Sequence, residues 1–207
     1  MGELRIASIS DPSLESAEAT RVLLAIVYRA ALMDLLPERG DGEIVVDRGW
    51  LRGLADAIGR AGIGRAVTLE LAGAGEGLAA PLWALWEALD ESPYPRGEWR
   101  GMRERLGDEQ LARLLRISPS SLRRYAGGER ETPDEVAWRL HALTRIVAAL
   151  LGSYNDYGVR RWFERSRAQL GGRSPAEAFV AADGEDDADL RAVVELAEAL
   201  VGPAVAA

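Results

Sequence analysis

The sequence predicts an all-α protein, on the basis of its composition and of its helix-start signals. The chain has 207 residues, 48% of them hydrophobic, and it is rich in Ala, Leu, Arg and Glu, whose side chains lose little rotamer freedom in a helix. Four predicted helix starts pair a capping side chain with a proline, whose missing N–H costs nothing at the first helical position. These pairs are Asp11-Pro12, Ser118-Pro119, Thr132-Pro133 and Ser174-Pro175.

Further signals place the helices in order along the chain. Two of the starts are also capping boxes, in which Thr132 pairs with Glu135 and Ser174 with Glu177. Apolar residues recur at helical spacing between these starts and the following breaks. The predicted helices cover residues 12–36, 48–61, 78–90, 97–106, 108–115, 119–126, 133–152, 157–169, 175–181 and 187–201.

Two short alternating runs, EIVVD at 43–47 and VTLEL at 67–71, permit two interpretations. Strict alternation of apolar and polar residues is typical of a strand, so the two runs could pair as a small ribbon. They could equally be a loop and the continuation of a helix.

The segment DESPYPRGEW at 90–99 contains two prolines and a glycine, which makes it the predicted domain boundary. Three domains follow in order: an N-terminal helical domain of unknown role, a helix-turn-helix with the long helix after it, and a C-terminal helical domain that binds a partner. Their predicted ranges are 1–95, 96–152 and 153–207. In the first domain, Trp83 and Trp86 lie three residues apart on one helical face, and we interpret them as core residues.

Composition limits the classes of function. The chain has no Cys, so it cannot form disulfides or thiolate-metal sites, and a reducing cytoplasm is the expected location. The most apolar stretch, residues 22–36, is too short to span a bilayer and contains Arg29 and Asp34. We therefore expect a cytoplasmic protein with no membrane partner, no cofactor and no metal.

The formal net charge of the chain is −8, yet its basic residues concentrate in the middle. Residues 96–147 carry 11 Arg against 8 carboxylates, whereas the segments on either side are acidic. Because contacts in a DNA groove depend on the local field within about 8 Å, an acidic total does not exclude local DNA binding.

The segment LARLLRISPSSLRRYAGG at 111–128 predicts two short helices joined by a tight turn. The second helix would begin after the cap Ser118, and its outer N-terminal side would enter a major groove. Arg can bond bidentately to guanine, and Ser can reach base edges or phosphates. Apolar contacts between the helices are assigned to Leu111, Ala112, Leu115, Ile117, Leu122 and Tyr125, and DNA contacts to Ser118, Ser120, Ser121, Arg123 and Arg124.

This segment resembles the Xre-type, lambda-repressor-like helix-turn-helix, whose familiar form has an LA pair, an SPS turn and an aromatic residue late in the second helix. Arg116 stands where that family usually has Gly. Because a left-handed conformation strains a non-Gly residue, we expect the turn to be reshaped. The alternative interpretation is an ordinary pair of packed helices with an exposed arginine face.

The segment YGVRRWFERSRAQLGGRSPAEAF at 157–179 predicts an amphipathic helix, a Gly-Gly break and a proline-capped helix. The neighbours Trp162 and Phe163 project about 100° apart around a helix axis. We therefore expect one of them in the core and the other at a partner surface.

This second segment resembles the C-terminal toxin-binding domain of Xre/MbcA/ParS-type antitoxins, although Ser166 stands where the family often has a proline. The matching residues are Gly158, Trp162, Phe163, Leu170, Gly171, Gly172, Pro175 and Phe179. The resemblance implies an antitoxin that neutralises a RES-domain, NAD-degrading toxin and represses its own operon, as a homodimer or as a hetero-oligomer with the toxin. The candidate partner-binding residues are Arg161, Trp162, Phe163, Arg165, Leu170, Gly171, Gly172, Pro175 and Phe179.

Other functions compete with that hypothesis. One is a free-standing transcriptional regulator or protein-interaction module without a toxin, and a more distant one is an enzyme with its site in residues 1–95. His141 is the only histidine, and we interpret it as a surface or interface residue rather than as a general base. Because the sequence has no G-x-S-x-G elbow and no ordered glycine-rich nucleotide motif, the leading hypothesis is non-enzymatic.

Overall fold

The structure of this protein is a computed structural model that describes residues 5–11, 14, 16–37, 43–67 and 77–200. These residues are mostly helical, with one pair of short strands among them. The chain divides into two compact units, residues 1–92 and 93–207. The division falls inside the segment 90–99, whereas residues 96–152 and 153–207 lie together in the second unit.

The first unit contains a small parallel sheet and three long helices within its described residues. The strands β1 (Arg5–Ile9) and β2 (Glu43–Val46) pair in parallel, with an irregularity between Ile6 and Ser8. Residues 43–46 thus form a strand, and its partner among the described residues is 5–9. Residues 65–67 are helical, and residues 68–71 lie outside the described residues. The helices are α1 (Ala17–Leu32), α2 (Arg48–Arg60) and α3 (Ala79–Asp90).

The first helix begins later than the sequence predicts. Ser16 is its N-cap and accepts a hydrogen bond from the Ala19 amide at 3.1 Å, so the predicted start at Asp11-Pro12 is wrong. Asp11 is instead buried and forms an ion pair with Arg48 at 2.9 Å. A buried carboxylate needs such a partner, and that ion pair ties the end of the first strand to α2.

The helix α1 packs against α3, with its apolar face in the core of the first unit. Arg29 lies in this apolar face and pairs with Asp90 at 2.9 Å, with 4% of the Arg29 side chain exposed. Trp83 and Trp86 meet edge to face at 5.8 Å, but both are only half-buried. The prediction that they are core residues is therefore correct only in part.

The second unit is helical throughout its described residues. Its long helix α7 lies at the centre and contacts α4, α8 and α10, and its inward residues Leu140, Leu143, Ile146 and Val147 are fully buried. The elements are α4 (Pro95–Leu106), α5 (Asp108–Leu114), α6 (Pro119–Ala126), α7 (Asp134–Leu151), α8 (Asp156–Glu164), a 3-10 turn (Ala168–Leu170), α9 (Pro175–Ala181) and α10 (Ala188–Glu198).

Two of the four predicted caps in the chain are confirmed, and both lie in this unit. The Ser118 hydroxyl accepts a hydrogen bond from the Ser121 amide at 3.1 Å, and Ser174 forms a complete capping box with Glu177. The capping box predicted at Thr132 is wrong, because α7 begins without a side-chain cap. The Thr132 hydroxyl instead accepts a hydrogen bond from the Trp99 indole at 3.0 Å.

The interpretation of His141 as a surface residue is also wrong. His141 is 5% exposed, and its Nδ1 lies 2.6 Å from Oε1 of Glu98, which is fully buried. This polar pair joins α4 to α7 inside the second unit. None of the helices among the described residues is long and apolar enough to cross a membrane.

Candidate functional site

The helices α5 and α6 contact each other through the apolar residues that the sequence assigns to this role. Leu111, Ala112, Leu115 and Leu122 are at most 3% exposed, and Ile117 is half-buried. Ala112 is small, which allows the two helices to approach closely. The Tyr125 ring stacks on Trp99 of α4 at 6.2 Å, so α6 is held on α4 as well as on α5.

The turn between these helices uses a left-handed residue that is not glycine. Arg116 has φ 56°, so the expectation of a reshaped turn is wrong, and Arg116 itself adopts the strained conformation. This conformation costs an L-residue about 1–2 kcal/mol. The guanidinium of Arg116 lies 3.3 Å from Asp183, but both side chains are exposed, so this ion pair offsets little of the strain.

The predicted DNA-contacting residues lie together on the outer face of α6. Ser118, Ser120, Arg123 and Arg124 are exposed, and Ser121 is half-buried. The Ser118 hydroxyl lies 2.9 Å from that of Ser120 and 3.0 Å from that of Ser121. The three hydroxyls therefore cluster at the N-terminus of α6, where the backbone amides favour an anion.

The two arginines of this face are free of ion pairs to any described residue. The neighbouring carboxylate of Asp108 accepts two hydrogen bonds from Arg103, at 2.7 and 2.9 Å. These bonds, and to a lesser degree the charges of Arg103 and Arg123, lower the pKa of Asp108. Asp108 is thus ionised and engaged by Arg103, and Arg123 and Arg124 give the outer face of α6 a positive charge.

More arginines lie beside this face on α4, outside the set of residues predicted to contact DNA. Arg96 and Arg100 are exposed, and with Arg103 they line a cleft of about 510 Å³ that also reaches Ala126 at the end of α6. Two carboxylates, Glu104 and Asp108, line the same cleft. The sequence could have indicated this cluster through the spacing of Arg96, Arg100 and Arg103, because residues four and seven apart on one helix share a face.

The residues predicted to bind a partner occupy two different environments. Trp162 is 2% exposed, Leu170 is 3% exposed, and Phe163 and Phe179 are fully buried. Pro175 is buried at the start of α9. These five side chains are enclosed by other residues of the second unit. They support the residues at its surface and are not themselves exposed there.

The expectation that one of Trp162 and Phe163 lies in the core and the other is exposed is therefore wrong, because both rings are buried. Their rings meet edge to face at 5.2 Å, and α8 contacts α4, α7 and α9. Because Trp162 and Phe163 project about 100° apart around α8, these neighbouring helices cover two different sides of α8.

The other four predicted partner-binding residues lie on the surface. Arg161 and Arg165 are exposed on α8 and just after it, and Gly171 and Gly172 are exposed in the turn before α9. The two glycines have φ 67° and 86°, a region that disfavours other residues. The Arg161 guanidinium donates to the Tyr157 hydroxyl at 2.8 Å.

A buried arginine that the sequence analysis did not identify joins this region to α7. Arg139 is 1% exposed and donates hydrogen bonds to the carbonyls of Phe179 and Ala182 at the end of α9. Burial lowers the pKa of Arg139, and its guanidinium rests 4.5 Å from the Trp138 ring. The sequence feature that could have indicated this role is the position of Arg139, a charged residue within the apolar stripe of Val136, Leu140 and Leu143.

Comparison of the chain with family models, with curated proteins and with solved structures found no match. Assignment of a function therefore rests on the geometry above and on the motifs in the sequence.

Proposed function

We propose that this protein is a non-enzymatic antitoxin that reads operator DNA with α6 and holds a protein toxin through its C-terminal region. The observation that carries the DNA-binding part is the outer face of α6. Ser118, Ser120, Arg123 and Arg124 are exposed there, while Leu122 and Tyr125 hold the opposite face against the unit.

The arrangement of α5, the turn and α6 supports the hypothesis of a helix-turn-helix. The eight residues of α6 form a helix about 12 Å long, and a major groove about 12 Å wide admits an α-helix. Exposed serine hydroxyls at its N-terminus can reach base edges or phosphates, and a guanidinium can bond guanine bidentately.

Electrostatics supports DNA contact at this face in particular. The whole chain carries a formal charge of −8, which opposes adhesion of DNA to its general surface. Arg123 and Arg124 have no ion pair with any described residue, and Arg96 adds positive charge nearby, whereas Arg100 pairs with Glu104 at 3.4 Å. Binding should therefore depend on these few arginines, with a correspondingly small salt dependence.

The toxin-binding part of the proposal rests on the resemblance of residues 157–179 to the antitoxin domain. Arg161, Arg165, Gly171 and Gly172 are the members of the predicted set that lie on the surface. The toxin that this resemblance implies is a RES-domain enzyme that degrades NAD, and the complex would repress its own operon.

A second candidate function is a free-standing DNA-binding regulator without a toxin. The observation that favours it is the burial of Trp162, Phe163, Leu170, Pro175 and Phe179. In this alternative those residues serve only to stabilise the second unit, and the DNA-binding role of α6 is unchanged.

The DNA-binding part is tested with DNA taken from upstream of the gene for this chain. Fluorescence anisotropy measures the Kd of the full chain and of the variant R123A/R124A at about 0.15 M salt. Each specific arginine contact contributes about 1–3 kcal/mol, so we expect the double variant to bind roughly 100-fold more weakly. The control R52A/R191A removes the same charge from two exposed positions outside the site, and equal losses in both variants would refute the proposal.

The toxin-binding part is tested by co-expression with the product of the adjacent gene. We expect the wild-type chain to co-purify with that product and to suppress its consumption of NAD. The variant R161E/R165E should lose both effects and retain DNA binding, because Arg161 lies on α8 and Arg165 just after it, and neither lies on α6. If no product binds while R123A/R124A still loses DNA affinity, the free-standing regulator is the correct candidate.

A further inference from the structure

A pocket beside α8 has a chemistry that neither DNA binding nor packing requires. Residues at the two ends of α8 form this pocket, and the pocket has a volume of about 300 Å³. Three arginines and three aromatic residues line it: Arg161, Arg165, Arg167, Tyr154, Tyr157 and Trp162. The pocket is thus small, basic and aromatic.

None of the residues that line this pocket is acidic. The two carboxylates carried by α8 are engaged elsewhere, since Asp156 pairs with Arg105 at 2.6 Å and Glu164 accepts hydrogen bonds from Gln110 and Arg113. In a chain of net charge −8, three guanidinium groups therefore line one pocket without a carboxylate among them. An anion placed there would relieve their mutual repulsion.

Two of these arginines are positioned by aromatic rings. The Arg161 guanidinium lies 5.6 Å from the centre of the Tyr157 ring, and it donates to the Tyr157 hydroxyl. The Arg167 guanidinium lies 5.7 Å from the Trp162 ring. A guanidinium has five N–H donors, so stacking on a ring orients it and leaves most of its donors for a ligand.

Gly158 lets one wall of the pocket form. A Cβ atom added at Gly158 would lie 2.9 Å from Cδ1 and 3.1 Å from Cβ of Tyr154. Because contacts this short require a shift, only glycine allows the Tyr154 ring to pack against the first turn of α8. Gly158→Ala is therefore a variant that disturbs the pocket without removing a charge.

We infer that this pocket binds a small phosphate monoester that carries a flat ring, a ligand of mononucleotide size. A phosphate offers three acceptor oxygens, which matches guanidinium groups that bond bidentately. The Tyr157 side chain is 61% exposed, and its ring provides a surface on which a base can stack. The volume of about 300 Å³ is at the lower end for ligand pockets and suits a ligand of mononucleotide size.

This inference goes beyond the proposed function and does not depend on it, because it concerns the chain alone. Arg161 and Arg165 also belong to the proposed toxin-binding surface. If both proposals hold, the ligand and the toxin compete for these two arginines.

Isothermal titration of the full chain with AMP, with ribose 5-phosphate and with adenosine tests the inference at constant ionic strength. We expect AMP to bind about tenfold more tightly than ribose 5-phosphate, because stacking of a base is worth that factor or more. Adenosine should bind more weakly than either phosphate. Equal affinity for AMP and ribose 5-phosphate, or no binding of either, would overturn the inference.

Variants locate the site. Arg165→Gln should weaken AMP binding about tenfold or more, since a hydrogen bond to a charged group is lost, and Gly158→Ala should also weaken it. Arg191→Gln is the matched control, because Arg191 is exposed on α10 and its loss changes the net charge equally. If Arg191→Gln weakens binding as much as Arg165→Gln, or if a glutamate-rich peptide binds more tightly than AMP, the pocket is not a mononucleotide site. Circular dichroism checks that each variant remains folded.

Discussion

The segments 111–128 and 157–179 carry the two binding roles of the proposal, yet they place their motif residues differently. In the first segment, the residues assigned to DNA lie on the outside of α6. In the second, Trp162, Phe163, Leu170, Pro175 and Phe179 are buried, and the exposed members are two arginines and two glycines. The motif residues are thus exposed in the first segment and mainly buried in the second.

The difference follows from how many neighbours each helix has. The helix α6 contacts α4 and α5, so only one of its faces is covered, whereas α8 contacts α4, α7 and α9. A motif residue on α6 that points away from the core is left free for a ligand. On α8 even adjacent residues are buried. The main contribution of its motif residues is therefore to the stability of the second unit.

The largest effect that separates the two segments is expected from Phe163→Ala. Phe163 is fully buried, and removing a buried phenylalanine ring costs about 3–5 kcal/mol. The free energy of unfolding, measured by denaturant titration, should fall by that amount. Arg161→Ala, at the exposed position two residues earlier, should change it by less than about 0.5 kcal/mol. Similar losses in both variants would show that α8 is not enclosed as described.

A pair of cap variants gives the next effect and compares the two segments directly. Ser118 caps α6 and Ser174 caps α9, and loss of such a cap costs about 1 kcal/mol. We expect both Ser118→Ala and Ser174→Ala to lower the free energy of unfolding by that amount. Only Ser118→Ala should also weaken DNA binding, because only α6 faces DNA in the proposal. A loss of DNA affinity in Ser174→Ala that equals the loss in Ser118→Ala would break the distinction.

A smaller effect of opposite sign is expected at the turn before α6. Arg116→Gly relieves the left-handed strain of about 1–2 kcal/mol but adds the conformational entropy of glycine, about 0.5–1 kcal/mol. It also removes the exposed contact with Asp183. We expect a net stabilisation of about 0.5 kcal/mol by thermal or chemical unfolding, and a loss above about 1 kcal/mol would show that the turn is not strained.

The smallest effect is a dependence of stability on acid pH. Hydrogen bonds from Arg173 lower the pKa of Asp189, and hydrogen bonds from the backbone and hydroxyl of Ser174 lower the pKa of Glu177. Because these pKa values are lower in the folded state, the associated stability is present above about pH 4, the unfolded value. It is lost as the pH falls toward the lowered values. The thermal midpoint of unfolding should therefore drop between about pH 5 and 3. Asp189→Asn should reduce that drop. The control variant Glu195→Gln, at an exposed position, should leave the drop unchanged.

The parts of the fold that the sequence predicts are those determined by a few neighbouring residues. The caps at Ser118 and Ser174, the left-handed glycines 171 and 172, and the apolar contacts of Leu111 and Leu122 each depend on local chemistry. Most helix positions follow for the same reason, because capping and helical periodicity act over short distances. The exceptions are α1, which begins at Ala17 rather than at residue 12, and α8, which ends at Glu164 rather than at residue 169.

The parts that the sequence does not predict depend on distant partners. The pairing of Arg5–Ile9 with Glu43–Val46 joins segments that no local pattern connects. Thr132 does not cap α7, and its hydroxyl instead accepts a hydrogen bond from the distant Trp99 indole. The burial of both Trp162 and Phe163 requires helices that lie before and after α8, and periodicity within α8 carries no information about them.

The most direct test of the central claim, that α6 contacts DNA and α8 does not, is photo-crosslinking. A photoreactive amino acid is placed in the full chain at Ser120 on α6 or at Tyr157 on α8, both of which are exposed. Each protein is then irradiated with labelled DNA from upstream of its gene. We predict a protein–DNA adduct from position 120 and none above background from position 157. Adducts from position 157 alone, or equally from both positions, would contradict the account.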